Sequence, residues 1–136
     1  MATHRLRNAT VTVLLDTNAL MMPVECDVRL FDELDRLLDG PSCVVPEAAA
    51  AELDSLADGA GKEATAASVG YDLATERCHI REATASYADD AVLELAQADD
   101  VTHVVTNDTP LRNRLLDAGA SVISLRGRNK LAITQP

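Results

Sequence analysis

Four acidic residues have the side-chain type and the positions to bind a divalent metal ion. Asp16 comes directly after the apolar run Val11–Leu15, and Asp108 comes shortly after another such run. Glu52 and Asp90 lie early in two stretches with helical spacing. Mg²⁺ and Mn²⁺ prefer carboxylate oxygens, and such an ion activates water and stabilises the charge of a phosphodiester under attack. We therefore predict a catalytic set of Asp16, Glu52, Asp90 and Asp108, with Asp16, Asp90 and Asp108 as metal ligands.

Two of these acids, and the neighbour of a third, also have a purely structural interpretation. Asp108 is placed to cap the helix that follows it, and a single glutamate such as Glu52 is usually an exposed helix residue. Ser86 and Asp89 have the spacing of a capping box. We therefore assign Asp89 to the helix cap and its neighbour Asp90 to the metal.

Short apolar runs alternate with helical stretches along the whole chain. The run before Asp16 is continuous, which predicts a strand buried on both faces, and an acid at the end of such a strand must be paired or coordinated. The alternation predicts a three-layer α/β/α sandwich with a central parallel sheet of about five strands. Ligands of such sheets bind beyond the carboxyl ends of the strands, and the acids lie there. Strands are predicted at Val11–Leu15, Cys43–Val45, Cys78–Arg81, Thr102–Thr106 and Ser121–Leu125, and a further edge strand is allowed at Leu131–Ile133.

Helices are predicted between the strands from apolar periodicity and from the glycines and prolines at their ends. They are expected at Val28–Leu38, from Pro46 towards Gly59, at Gly61–Glu76, from Ser86 through Ala96, and at Leu111–Ala118. Because no repeat or linker divides the chain, residues 1–136 are expected to form a single domain. Residues 1–10 are polar and are expected to be flexible, and residues 126–136 form a basic tail.

Composition favours a globular cytoplasmic protein over a membrane or secreted one. Hydrophobic residues make up 47% of the 136 residues, yet no apolar run is long enough to span a membrane, and residues 1–10 lack the apolar core of a signal peptide. The three cysteines form no C-x-x-C pair. A disulfide framework and a zinc ribbon are therefore not expected.

The charge of the chain is unusual for a protein that handles nucleic acid. The net charge is −10, although basic residues exceed acidic ones after His103. A basic C-terminal third on an acidic body is still able to hold phosphates. Arginine outnumbers lysine, and alanine is abundant, which resembles the proteome style of salt-in halophilic archaea. We keep a halophilic origin of the acidity as a hypothesis.

Four motifs, in this order along essentially the whole chain, resemble the PIN-domain nucleases. They are D-T-N at Asp16, V-P-x-x-x-x-x-E-L ending at Leu53, A-D-D-A around Asp90, and V-T-N-D ending at Asp108. The resemblance implies a PIN-like sandwich and Mg²⁺- or Mn²⁺-dependent cleavage of RNA. It assigns Asp16, Glu52, Asp90 and Asp108 to the acidic site. Thr17, Asn18 and Asn107 are assigned supporting roles, with Asn18 orienting a carboxylate or water.

The same resemblance indicates two biological roles. The SYADDA and RGRNKL runs resemble archaeal PIN proteins close to those that process small-subunit ribosomal RNA, whereas the short length resembles VapC-type toxins. The implied partners are RNA, a second copy of the chain in a homodimer, and an antitoxin or a ribosomal precursor particle. The alternatives are a catalytically silent RNA-binding scaffold and a phosphotransfer enzyme with an aspartyl nucleophile. The second alternative normally requires an Asp two residues after Asp16, where this chain has Asn18.

Basic residues are the candidates for contact with the RNA backbone. The glycines before Lys62 suggest a phosphate loop, but the pattern is not that of an NTPase, and a break between two helices is favoured. The chain has two tyrosines, one phenylalanine and no tryptophan, so base stacking is expected to contribute little. The candidate contacts are Lys62, Arg112, Arg126, Arg128 and Lys130.

Overall fold

A six-stranded, mostly parallel sheet forms the centre of the computed structural model, which describes residues 11–136. The strand order is β3-β2-β1-β4-β5-β6; β1 to β5 are parallel, and β6 runs antiparallel to β5. The strands are β1 (Thr12–Leu15), β2 (Ser42–Pro46), β3 (His79–Arg81), β4 (Val101–Val105), β5 (Ser121–Arg126) and β6 (Lys130–Thr134). All five predicted strands are confirmed. The allowed edge strand is also present, so the basic tail folds back onto β5.

Helices connect the parallel strands and cover both faces of the sheet. They are α1 (Thr17–Glu25), α2 (Leu30–Leu38), α3 (Glu47–Ala57), α4 (Gly61–Arg77), α5 (Ala88–Ala96) and α6 (Thr109–Asp117). The apolar pattern of the sequence did not predict α1. This helix carries Pro23 in its interior. The predicted flexibility of residues 1–10 lies outside the described residues.

Alternation along the buried strands divides the core into two layers. Val13 and Leu15 belong to the layer that β1 shares with α1 to α4, whereas Leu14 packs with α5 and α6 on the other face. All four residues of β1 are buried, because strands β2 and β4 flank it and helices cover both faces. The three-layer α/β/α sandwich predicted from the sequence is confirmed.

A close approach of backbones joins α1 to α4. A Cβ atom at Gly70 of α4 would lie 2.7 Å from the carbonyl oxygen of Leu20 in α1. Only glycine permits this close approach of the two helices. Among residues 11–136, no helix is both long enough and apolar enough to cross a membrane.

Candidate active site

One acidic residue follows each of four consecutive parallel strands at the carboxyl edge of the sheet. Asp16 follows β1 and Asp108 follows β4, whose last paired residues are Leu15 and Val105. From β1 the chain continues to β2 on one side, while β4 lies on the other. This is the switch point where open α/β sheets form their binding crevice. Glu52 on α3 and Asp89 on α5 reach the same crevice from the elements after β2 and β3.

Asp16 is held rigidly and is almost completely buried, with 4% of its surface exposed. One carboxylate oxygen accepts a hydrogen bond from the backbone N–H of Ala19 at 2.7 Å, which caps α1. The other accepts one from the hydroxyl of Thr106 at 2.5 Å. Burial raises the pKa of Asp16 to about 7, and repulsion from Asp89 and Asp108 adds to the effect, although both hydrogen bonds oppose it. A positive charge nearby would therefore stabilise the ionised carboxylate of Asp16.

Asp108 caps α6 and lines the crevice at the same time. Its Oδ1 accepts a hydrogen bond from the backbone N–H of Leu111 at 2.9 Å, so the structural interpretation of this residue is correct. The hydroxyl of Thr106 accepts from the backbone N–H of Asp108 at 3.1 Å while it donates to Asp16. Thr106 is fully buried and ties the carboxylate of Asp16 to the backbone of the turn that carries Asp108. Thr106 was not predicted to belong to the site, although it lies in the V-T-N-D motif.

Asn107 ties the turn after β4 to two neighbouring segments. Its backbone N–H donates to Oδ1 of Asn18 at 3.0 Å, and its own Oδ1 accepts from the backbone N–H of Leu125 at 2.8 Å. Glu52 is held by a different contact, because the hydroxyl of Thr17 donates to its Oε1 at 2.5 Å. Asn18 and Asn107 therefore hold the loops of the crevice together, and Thr17 fixes the position of Glu52.

Neither Asp89 nor Asp90 occupies the position expected from the sequence. Helix α5 starts at Ala88 with Tyr87 as its N-cap, and no side chain caps it, so the capping-box prediction is wrong. Asp89 lines the crevice. Asp90 instead forms an ion pair with Arg114 of α6 at 3.3 Å, with both side chains about half exposed. The N-cap is Tyr87 rather than Ser86, and the packing of α5 against its neighbours places Asp89 at the pocket.

The crevice is a pocket of about 440 Å³ with a strongly acidic wall. Glu25 at the end of α1 and Glu63 at the start of α4 line it together with the four acids described above. The remaining lining residues are Thr17, Asn18, Met21 and Leu56, so the lining contains no basic side chain. Nothing in the sequence near Glu25 or Glu63 distinguishes these residues, since only the packing of α1 and α4 brings them to the pocket.

The donor chemistry of the pocket fits a hard divalent cation. Its charged lining atoms are carboxylate oxygens, and repulsion from Asp108 and Glu52 adds to burial in raising the pKa of Asp89. Within residues 11–136, however, no three histidine, cysteine or acidic side chains converge closely enough to bind one ion. The acids are therefore spread around the pocket, several of them engaged in hydrogen bonds with the protein.

Comparison with known proteins identifies the family. Residues 13–128 match the family model of the PIN-like domain. The chain belongs to this family. A comparison with curated proteins found no match.

Two solved structures share the PIN-like architecture. The structure of the PIN domain endonuclease Utp24 is 23% identical, with a TM-score of 0.74 and 92% of each chain covered. A domain of a functionally unknown protein from Methanocaldococcus jannaschii DSM 2661 is 17% identical, with a TM-score of 0.58 and coverage of 88% of this chain and 94% of the other. At these identities the likeness establishes the fold of the PIN-like domain.

The predicted RNA-contact residues are distributed unevenly over the PIN-like domain. Arg126 ends β5 and Arg128 lies in the turn to β6, so both are at the carboxyl edge of the sheet. Lys62 is exposed in the first turn of α4, next to Glu63 of the pocket. Lys130 is 3.7 Å from Glu33 of α2 and thus has a structural partner. Arg112 is half-buried on α6, and its Nε is buried without a hydrogen-bond partner among the described residues.

Proposed function

We propose that this protein is a divalent-metal-dependent endoribonuclease that hydrolyses RNA phosphodiester bonds. The observation that carries the proposal is the acidic pocket at the switch point of a PIN-like sheet, to which four successive parallel strands each contribute one acid. A pocket with this charge repels a polyanion unless a cation is present. The similar fold of a PIN domain endonuclease supports the same chemistry.

The proposed acidic set is Asp16, Glu52, Asp89 and Asp108, with Asp89 in place of Asp90. Asp16 is suited to a fixed ligand, because two hydrogen bonds define its orientation. When bound, Mg²⁺ or Mn²⁺ supplies Lewis-acid activation of water and neutralises charge on the phosphodiester. Asp108 and Asp89 line the same pocket and would supply further carboxylate oxygens to the ion.

The residues around the acids keep them in place. Thr106 links the carboxylate of Asp16 to the backbone N–H of Asp108, and the carboxylate of Asp108 is held by the N–H of Leu111. Thr17, the residue after Asp16, holds Glu52 at the pocket. In this proposal Glu52 orients water through its second carboxylate oxygen.

The RNA backbone is proposed to cross the carboxyl edge from the acidic pocket towards Arg126 and Arg128. Both arginines are exposed, and the hydrogen bond between Asn107 and the backbone of Leu125 connects their hairpin to the turn that carries Asp108. Arginine binds phosphate with several donors at once. Processing of ribosomal RNA or turnover of other RNA is the proposed role, in line with the SYADDA and RGRNKL runs.

The proposal is tested by cleavage of end-labelled RNA in Mn²⁺ by wild type and by Asp16→Asn. Wild type is expected to cut internally, and Asp16→Asn to be at least about 100-fold slower, since loss of a ligand costs no less than loss of a supporting contact. The variant is expected to fold, because a neutral amide removes the cost of burying a charge.

Thermal unfolding provides a readout of metal binding that does not depend on cleavage. Mn²⁺ is expected to raise the unfolding temperature of wild type but not that of Asp16→Asn. Equal cleavage by the two proteins would refute the mechanism. RNA binding without cleavage by either protein would instead identify a scaffold.

A further inference from the structure

Two of the three cysteines form a pair at the amino edge of the sheet, at the opposite end of the strands from the acidic pocket. Strands β2 and β3 are parallel, with Val44 opposite His79. Continued back by one residue, this register places Cys43 opposite Cys78, which follows α4 with an extended backbone (φ −128°, ψ 162°). Neighbouring strands are about 4.8 Å apart, and a disulfide needs Cα atoms about 4.4 to 6.8 Å apart. The fold therefore holds these two residues within bridging distance.

Both side chains of this pair pack in the same layer of the core. Cys43 is buried, with 7% of its surface exposed, and the half-buried Cys78 packs against the layer that contains it. Val13, which is opposite Cys43 in the neighbouring strand β1, belongs to that layer as well. All three cysteines are free thiols, and the thiols of Cys43 and Cys78 form a hydrogen bond with each other. The two sulfurs are therefore neighbours in the folded protein.

The surroundings make Cys43 the first thiol of the pair to ionise. The hydrogen bond from Cys78 lowers the pKa of Cys43, burial opposes this effect, and the guanidinium of Arg77 lowers the pKa further. The same hydrogen bond, together with burial, raises the pKa of Cys78. Because the thiolate is the nucleophile in sulfur chemistry, Cys43 is placed to attack an oxidant first. Cys78 is then placed to attack the oxidised sulfur.

We propose that Cys43 and Cys78 are a site of reversible oxidation, at which a peroxide closes a disulfide between β2 and the end of α4. This inference goes beyond the proposed nuclease function and does not depend on it. The low exposure of Cys43 favours an oxidant as small as hydrogen peroxide over a bulky disulfide. A reducing compartment keeps such a pair as thiols until an oxidant arrives.

The reaction consumes one peroxide for each disulfide. The Cys43 thiolate attacks one oxygen of hydrogen peroxide, the O–O bond breaks, hydroxide leaves, and the sulfur becomes a sulfenic acid. The sulfur of Cys78 then attacks the sulfenic sulfur, the S–O bond breaks, and the hydroxyl group leaves with the thiol proton as water. The two sulfurs together lose two electrons, and the peroxide gains them. A dithiol reductant reopens the disulfide by exchange.

The disulfide staples the part of the chain that contains α3 and α4. These helices lie between Cys43 and Cys78 in the sequence, and they bring Glu52 and Glu63 to the acidic pocket. A crosslink across a long loop stabilises a protein mainly by restricting the unfolded chain. Because the crosslink lies at the amino edge and the pocket at the carboxyl edge, oxidation is expected to raise stability without rearranging the pocket.

Peroxide treatment of Cys26→Ala tests the pair, because this substitution removes the third cysteine. Equimolar hydrogen peroxide is expected to remove both remaining thiols and to lower the mass of the chain by two hydrogen atoms. Peptide mapping should then join Cys43 to Cys78 within one chain. The unfolding temperature is expected to rise by at least about 5 °C and to return to its starting value with a dithiol reductant.

Single substitutions separate the roles of the two sulfurs. In the Cys26→Ala background, Cys78→Ala is expected to leave a sulfenic acid on Cys43 that dimedone traps, because no second thiol attacks it. Cys43→Ala in that background is expected to be labelled at least about tenfold more slowly, since Cys78 is the less acidic thiol. Cys43→Ala in the wild-type background is the matched control, because it has as many thiols as Cys26→Ala but lacks the pair across the strands.

Thiols of Cys26→Ala that do not react with peroxide in the folded protein would overturn the inference, because the pair would then be inert packing groups of the core. Sulfinic acid or crosslinks between chains in place of an internal disulfide would overturn it as well. So would a disulfide that forms equally well in the matched control, or one that leaves the unfolding temperature unchanged. The peptide map requires only Cys26→Ala, so a folding defect in a Cys43 or Cys78 variant leaves the test intact.

Discussion

Asp89 and Asp90 are neighbours of the same residue type with opposite surroundings. Asp89 faces the acidic pocket, whereas Asp90 pairs with Arg114 at the surface. We expect Asp89→Asn to slow metal-dependent RNA cleavage at least about 100-fold, because it removes a carboxylate from the proposed metal site. Asp90→Asn is expected to stay within about twofold of wild type, since an exposed ion pair contributes little. Single-turnover cleavage in Mn²⁺ measures both.

Each of these two variants serves as the control for the other, because the two substitutions are identical in chemistry and adjacent in one helix. Circular dichroism and thermal unfolding should give similar folds for both variants. Loss of cleavage in Asp90→Asn with retention in Asp89→Asn would restore Asp90 to the site and contradict the assignment made here from the pocket lining.

At the scale of elements, Glu33 of α2 anchors the antiparallel edge strand β6. Its buried carboxylate accepts from the backbone N–H of Leu131 at 2.9 Å and from Nη2 of Arg36 at 2.7 Å. The hydrogen bond from Arg36 and that from Leu131 lower the pKa of Glu33 to about 2 from 4.5. Because the pKa is depressed in the folded state, the stabilisation is complete above pH 4.5 and is lost as the pH falls towards 2.

We therefore expect Glu33→Gln to lower the free energy of unfolding at pH 7 by about 1 to 2 kcal/mol, since it weakens hydrogen bonds to a charged acceptor. The difference from wild type should shrink as the pH falls from 4.5 towards 2. Urea unfolding across this range measures it, with the exposed neighbour Asp32→Asn as control. A difference that is constant with pH would show that the charge of Glu33 does not anchor β6.

At the scale of the whole molecule, the net charge of −10 opposes both folding and RNA binding. Salt screens repulsion between surface acids within about 10 Å at 0.1 M. The unfolding temperature is therefore expected to rise with KCl, while the affinity for RNA falls because salt competes with the phosphate contacts. Thermal unfolding and RNA titration over the same salt series measure the two effects.

The range of salt concentration over which stability rises distinguishes simple charge screening from a halophilic surface. Screening alone is nearly complete at about 1 M salt, where the Debye length is about 3 Å. A rise in stability that continues in molar KCl but is weaker in molar NaCl at equal ionic strength would support the halophilic hypothesis. An unfolding temperature that does not change with salt would contradict both.

The sequence by itself determined the layered fold and two of the site acids. A continuous apolar run predicts a buried strand, and Asp16 follows one such run directly while Asp108 comes shortly after another, so local pattern was sufficient to place both at the carboxyl edge. The start of α5 was predicted wrongly, because the capping contact that the sequence suggested does not form in the structure.

Tertiary structure alone decided which helix side chains complete the site. Asp89 rather than Asp90, together with Glu25 and Glu63, reaches the pocket because of how α5, α1 and α4 are rotated against the sheet. Packing of whole helices sets that rotation, and adjacent helix residues point about 100° apart, so spacing along one segment does not reveal it. For the same reason, the sequence showed that aromatic residues are few, and only the fold showed that Tyr87 is exposed.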